Sequence, residues 1–468
     1  MPILIAISGL FIALLICYFE AYSFFVVAAI LFIILAFFKK EHLLISLLIF
    51  IPLFPKIDMI QVPGTFTTIR IEDFVLALAI LWSLVIMLRE RGIIKIGAFS
   101  NVLILYIIIS LFSLFAGVLQ GTVELGWTPF LYFLRRIEYL SLLYVGYILS
   151  NERSIGMINK WVVRIFFIVA LIAILQKLKI IGVFLHGAYI TSIEGRMFST
   201  FAAPGEFAAF ISILFVFSIM GIFSAKKVQQ LYWGMLAAFQ LYVLSLSASR
   251  AEFMSLPVVV GLFAIIKRQT KYVILIFLLL AALFIVVAPT EKFYALLSPE
   301  TVDIIKDIAA GAKTIDIHRT FEMQRRGAVN YELSAVERIT IWSSAFSKFL
   351  CYPLLGVGQS AFGDYVDNNY IRILAENGIL GFMAFFLLIY FLCKDCIKVY
   401  NNTAMPNEVR NYALVILLII INLSVASLMV DAFEMSKIAF FLWLLVGVFY
   451  KSKNIYEVKI LGTKGIKA

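Results

Sequence analysis

Apolar runs of about bilayer-crossing length recur along the whole chain, and no other feature restricts its fold so tightly. They fall near residues 3–18, 21–38, 42–54, 74–88, 101–119, 128–148, 161–182, 206–224, 231–246, 253–266, 272–288, 373–393, 412–430 and 437–450. Each is continuous in Ile, Leu, Phe and Val instead of alternating with polar residues, so the runs predict helices and not the strands of an outer-membrane barrel. Composition agrees: 63% of the 468 residues are hydrophobic, 14% are charged, and mean hydropathy is +1.02. At about 20 apolar residues per crossing, that content suffices for about fourteen helices and leaves little for soluble domains.

Basic residues fix the expected sidedness, because Lys and Arg concentrate in cytoplasmic connections. Lys39, Lys40, Arg89, Arg91, Lys95, Arg153, Lys160, Lys226, Lys227, Lys267, Arg268, Lys271, Lys394, Lys398, Lys451, Lys453 and Lys459 all fall on one face of this topology, together with both termini. The net charge of +11 is therefore read as topology; scattered in small groups, it forms no stripe for nucleic acid. The apolar start lacks a basic n-region and an A-x-A-like site, so no cleavable signal is expected. Cys393 and Cys396 form a lone C-x-x-C at the end of a span and are read as structural.

Exceptions to the charge rule carry the functional signal. Lys56, Arg70, Arg196, Arg250 and Lys437 lie on the outer face, as does a connection of residues 289–372. That connection interleaves charges with Ile and Ala, as short amphipathic helices on the membrane surface would. The expected fold class is thus an all-α integral membrane protein of about 14 transmembrane helices with one long periplasmic loop containing short amphipathic helices. Expected segments are N-terminal helices over 1–190, helices with outer-face Arg motifs over 191–288, the loop over 289–372, C-terminal helices over 373–450 and a cytoplasmic tail over 451–468.

Arg196 and Glu206 flank the outer start of the eighth span, and Arg250 follows Ser249 in a tight outer connection. Arginine near lipid either snorkels to water or meets an anion; two on the disfavoured face favour an anionic ligand. The loop adds Arg338 with Trp342, Pro353-x-x-Gly356-x-Gly358, Asp367-Asn368-x-Tyr370 and Glu376-x-Gly378. Gly356-x-Gly358 follows no strand and lies on the outer side, so a tight turn returning the loop to the membrane is expected over a dinucleotide fingerprint. Asp367 reads alternatively as an N-cap. Arg135, Arg136 and Glu138 sit within the sixth span and should face the bundle interior, with an Arg135–Glu138 pair as the simplest arrangement. Substrate binding is the alternative for Arg136, and for Arg70 and Asp73 at the start of the fourth span. His186 and His318 read as ordinary surface residues.

Taken in order, Arg196 with Thr200-Phe201 and Pro204-x-Glu206-x-x-Ala, Ser249-Arg250, Arg338-x-x-x-Trp342, the Pro-Gly-Gly turn and Asp367-Asn368-x-Tyr370 with Glu376-x-Gly378 resemble the O-antigen ligase and polymerase superfamily over about residues 190 to 445. The resemblance implies a class C glycosyltransferase-like fold acting on glycans carried by undecaprenyl pyrophosphate. Arg196, Arg250 and Arg338 would hold the diphosphate, for which the forked guanidinium is suited. Asp367 would serve as general base, with Arg250 and Arg338 also catalytic; Glu206, Asn368, Tyr370, Glu376 and Arg136 would contact substrate. Ligase-type members often carry His-Asn where this chain has Asp367-Asn368, which points to a Wzy-type polymerase and leaves Glu206 and Glu376 as competing carboxylates. No cofactor or metal is implied. Expected partners are the lipid-linked oligosaccharide donor and acceptor, the lipid bilayer and a chain-length regulator, with no nucleic acid. A ligase is the nearest alternative. A flippase for the same lipid-linked units is the rival from another class, which would favour charges deep in many helices and two related halves.

Overall fold

A computed structural model describes residues 40–54, 56, 58–61, 68–90, 96–124, 126–185, 188–190, 192–193, 195–268, 281, 333–362 and 366–465. It is helical apart from two short antiparallel hairpins. The elements are α1 (Lys40–Leu53), β1 (Asp58–Gln61), β2 (Thr68–Arg70), α2 (Ile71–Glu90), α3 (Ala98–Gln120), α4 (Trp127–Leu149) and α5 (Ser154–Lys177). They continue with β3 (Val183–Leu185), β4 (Ala188–Ile190), α6 (Pro204–Ser224), α7 (Lys227–Ser245), α8 (Arg250–Lys267), α9 (Leu333–Cys351), α10 (Asn369–Asn401), α11 (Asn407–Ala426) and α12 (Ser436–Gly465).

Among the described residues, six helices are long and apolar enough to cross a membrane: α3, α5, α6, α10, α11 and α12. The chain is a multi-pass helical membrane protein, and this number stands below the fourteen expected. Three expected spans, 3–18, 21–38 and 272–288, lie outside the described residues but for residue 281, and α1 has only 14 residues. Of the expected long loop, residues 289–332 lie outside the description, and the described part holds the 19-residue α9. α12 does not stop at 450 but runs on through the basic residues that follow.

Burial separates the centre of the bundle from its rim. The apolar windows of α6 and α12 are 78% buried and that of α11 72%, whereas those of α3 and α10 are 33% buried and that of α5 39%. α4 meets α12 through a glycine pair: a Cβ at Gly146 would overlap the Leu444 carbonyl, and one at Gly447 the Leu143 carbonyl. Small residues let two backbones close in where lipid supplies no hydrophobic drive for association.

α10 is broken at Gly378, whose φ of 64° and ψ of −168° interrupt the helix. The break frees carbonyls that the Pro353–Gly358 turn then satisfies. Val357 N donates to Ala375 O at 2.9 Å and Gly358 N to Glu376 O at 3.1 Å, while Ile379 N donates to Pro353 O at 2.8 Å. Ser113 on α3 donates its hydroxyl to the same Glu376 carbonyl at 2.6 Å. Irregular backbone inside a membrane bundle is tolerated where protein satisfies it in this way. Gly356, at φ 73°, has no room for a Cβ beside the Glu376 carbonyl, so the expected tight turn is present and its function is to cap the break.

Charged contacts sort into two ends. One joins Lys40 to Glu90, Glu41 to Asn151, Lys459 to Glu152 at 2.7 Å and Lys453 to Asp395 at 3.1 Å. The other gathers the starts of α2, α6, α8, α10 and α12 with the ends of α1, α7 and α11, and holds the candidate site.

Candidate active site

The site begins where α10 starts. Asn368 is the N-cap: its Oδ1 accepts from Tyr370 N at 3.0 Å and Ile371 N at 3.1 Å. Its Nδ2 donates to Leu428 O at 3.0 Å, and Asn369 N donates to Ser427 O at 3.1 Å, fastening α10 to the end of α11. The capping alternative read for Asp367 therefore belongs to its neighbour, and Asp367 is released from that duty. Its carboxylate instead meets Arg338 of α9, with Nε 3.3 Å from Oδ2. The Asp367 side chain is 49% exposed and that of Arg338 28%.

The two competing carboxylates are sequestered. Glu206, 3% exposed, pairs with Lys56 at 3.1 Å and accepts from the backbone N–H groups of Lys437 at 3.1 Å and Ala202 at 3.2 Å. Sitting in the first turn of α6, it ties the residue before the N-cap Ala203 to the helix start. Lys437 is itself fully buried and donates to the carbonyls of Phe54 at 2.6 Å and Thr200 at 2.8 Å. Glu376 is fully buried between Arg372 at 3.5 Å and Arg136 at 3.9 Å. Tyr370 donates its hydroxyl to Ser424 O at 2.7 Å and stacks on Phe386.

Beneath Asp367 lies an ionic cluster that the motifs did not disclose. Arg136 points inward from α4, as expected, and bonds Glu434 at 2.7 Å; Asn377 Oδ1 is 3.5 Å away and the Tyr106 ring 5.8 Å. Arg372 bonds Asp431 at 2.9 Å. Burial, with Glu434 and Asp367 as neighbouring negative charges, pushes the Asp431 carboxyl up to about 6 against the opposing pull of Arg372. Arg372, Asp431 and Glu434 were not singled out from sequence. A signal existed, since Asn369, Arg372 and Glu376 recur at three- and four-residue spacing and so share one face of the half-helix before Gly378. The Arg135–Glu138 pair is not the arrangement adopted: Arg135 bonds Asp73 of α2 at 3.2 Å, and the Arg70 N–H donates to the same Asp73 oxygen at 2.9 Å.

Arg196 and Arg250 lie on adjoining backbone segments. Arg196 bridges to Ile193 after Gly195, at φ 75°, and the next residue, Met197, donates to Leu246 O at 2.9 Å in the turn that leads to Arg250. Glu252, one residue beyond Ala251, shares Asn422 of α11 with Ser212 of α6, so Arg250 starts a helix packed against α6 and α11, with Arg196 in the turn beside it. His186 and His318 lie outside the described residues. Among the described residues no group of three His, Cys, Asp or Glu is arranged around a metal position.

Fold and site define a polytopic helical membrane protein with an arginine- and carboxylate-bearing polar site at one end of its bundle. A family model described as O-antigen ligase, a family of glycosyltransferase-like ligases and polymerases, matches residues 234–386. The matched stretch includes Arg250, Arg338, Asp367, Asn368, Tyr370 and Glu376 and ends before the Asp431–Glu434 turn; Arg136, Arg196 and Glu206 precede it. It is in keeping with the superfamily resemblance that the ordered motifs carry. No curated protein matches the chain.

Proposed function

We propose that this chain is a polysaccharide polymerase, of O-antigen or exopolysaccharide, that transfers a growing glycan from undecaprenyl pyrophosphate to the non-reducing-end sugar of a lipid-linked repeat unit. The full topology on this reading is about fourteen spans in the bacterial inner membrane. The basic end with both termini is cytoplasmic by the positive-inside rule, and the site end is periplasmic.

The observation that carries the reading is the contrast among carboxylates. Asp367 is half-open beside an arginine, while Glu206 and Glu376 are consumed by buried ion pairs. A general base must reach the proton that it abstracts, and only the first of the three is placed to do so. In the proposed step the acceptor hydroxyl loses its proton to Asp367 as its oxygen bonds the anomeric carbon. The bond from that carbon to the diphosphate oxygen breaks with inversion, and the departing lipid diphosphate takes the electron pair. Arg338 contacts Asp367 through Nε, leaving its two terminal nitrogens for the diphosphate; Arg196 and Arg250 add the remaining cations that stabilise the developing charge. Asn368 and Tyr370 shape the start of α10 beside the base, and Arg136, Glu376 and Glu206 hold the helices that present it.

Substituting His for an acid at the base position distinguishes the ligase reading by resemblance only, so activity decides. Purified protein reconstituted with its host's lipid-linked repeat unit, without metal or nucleotide, should give a ladder of products spaced by one repeat. Intact substrate with folded protein and no ladder would reject the polymerase, and glycan appearing on an added lipid or protein acceptor would establish the ligase.

A further inference from the structure

We infer that Glu252, Ser212, Ser255 and Asn422 form a sodium site that fastens α6, α8 and α11 to one another. The site stands apart from the polymerase reading, since no step of the glycosyl transfer uses it. All four side chains are fully buried. They come from three helices: Ser212 from α6, Glu252 and Ser255 from the beginning of α8, and Asn422 from the end of α11. Glu252 differs from the other buried acids of this end. Glu206, Glu376 and Asp431 each meet a Lys or Arg. The hydrogen-bond partners of Glu252 are Ser212, Asn422 and Ser255, all neutral, and among the described residues it forms no ion pair.

Donor hydrogens run short in this cluster, because the amide brings two and each hydroxyl one. Ser212 donates to Ala209 O of its own helix at 2.8 Å. Ser255 has a single hydrogen for Asn422 Oδ1 at 2.8 Å, Glu252 O at 2.9 Å and Glu252 Oε2 at 3.4 Å. Asn422 Nδ2 donates to Ser212 Oγ at 2.7 Å and to Glu252 Oε2 at 3.3 Å. The short bonds thus go to amide, hydroxyl and backbone oxygens, and the carboxylate receives the long ones. Its Oε1, sealed from solvent, has no hydrogen-bond partner among the described residues. A buried carboxylate in that condition is costly, and an ion is one of the few things that relieves it. The atoms select which ion. Both carboxylate oxygens, the Asn422 carbonyl oxygen and the two hydroxyl oxygens keep free lone pairs, a set suited to a hard cation. One carboxylate balances one positive charge, whereas a divalent ion would leave a buried charge uncompensated. A proton would neutralise one carboxylate oxygen and leave the other without a donor; a cation shared by both relieves the pair. Arg250 opens the same helix two residues earlier, so the ion would brace the start of α8 against α6 and α11.

The test is the unfolding temperature of the purified full chain at pH 7.5, with divalent ions removed and choline chloride replaced stepwise by NaCl or KCl at constant ionic strength. NaCl should raise it saturably, by at least about 2 °C between about 1 and 150 mM, and KCl should raise it less. Glu252→Gln, a neutral isostere that brings its own N–H donors, should fold and lose the sodium increment. Ser212→Ala, which removes one oxygen and keeps the acid, should lose most of it. No sodium increment in wild type, an equal one in KCl, or a full one retained in Glu252→Gln would overturn the site. Should Glu252→Gln fail to fold, a full increment in Ser212→Ala would overturn it as well. Stabilisation on acidification that Glu252→Gln removes, with no sodium increment at any pH, would assign the buried charge to a proton and reject the cation.

Discussion

The two ends of the bundle handle charge in opposite ways. At the basic end Lys459 and Glu152 are each 51% exposed, and Lys40 and Glu90 35% and 54%; Lys453 with Asp395, at 11% and 22%, is the most covered pair there. At the site end Arg136, Arg372, Lys56 and Lys437 are nearly sealed from solvent, each against acids or carbonyls from elsewhere in the chain. Exposed pairs are worth little and serve sidedness. Buried ones are expensive to form and more expensive to break singly, so they specify how helices meet. The site end has thus been made rigid at a cost in desolvation, whereas Asp367 keeps half of its side chain open to solvent. If Asp367 is the base, as proposed, a fixed frame presents it in the way that catalysis requires.

The buried pairs of the site end carry the largest expected effect. Arg136→Met leaves Glu434 buried beside Glu376 without its cation, and should cost about 3–5 kcal/mol in stability, read as a loss of the folded monodisperse species on heating. Arg338→Lys keeps the charge but loses the forked geometry; a lost charge-assisted hydrogen bond of about 1.5–3 kcal/mol should lower donor kcat/KM by about ten- to a hundredfold, with unchanged unfolding temperature.

Asp431 gives a pH signature. Its folded pKa of about 6 stands above the ordinary 3.8, so the fold favours its neutral form. That contribution is fully present below about pH 4 and lost as pH rises through 6, an effect on the order of 1–3 kcal/mol. Unfolding followed from pH 4 to 7.5 should show this fall on top of the other groups' titration, and Asp431→Asn should flatten that component. The smallest effect belongs to the other end: Lys459→Ala should change stability by less than about 0.5 kcal/mol, measured by the same unfolding.

Periodicity and hydropathy made the helices legible, because a span must be continuous and apolar whatever its neighbours are. The hairpins β1–β2 and β3–β4 escaped, since strands of three or four residues carry too short a pattern to read. α12 overran its expected end because the basic residues after Tyr450 are as compatible with helix as the apolar ones before it. At the site, Arg338 and Asp367 were reached through their motifs and meet in the structure. Partners in the ionic cluster were not legible, because Arg136 finds Glu434 and Arg372 finds Asp431 only after the chain has folded. Local spacing suggested Glu138 for Arg135, and packing of α2 against α4 supplied Asp73 instead. Lys56 and Lys437 were visible as violations of charge sidedness; that the violation is resolved by Glu206 and backbone carbonyls required the tertiary contacts.

On the proposed reading Asp367, half-open beside Arg338 at the rigid end, is the base. Its most direct test is the single-turnover rate of Asp367→Asn in proteoliposomes, measured beside wild type with unfolding temperature and donor affinity. The rate should fall by about 10²- to 10⁴-fold with both controls unchanged. A wild-type rate in that variant would contradict it and move the base elsewhere.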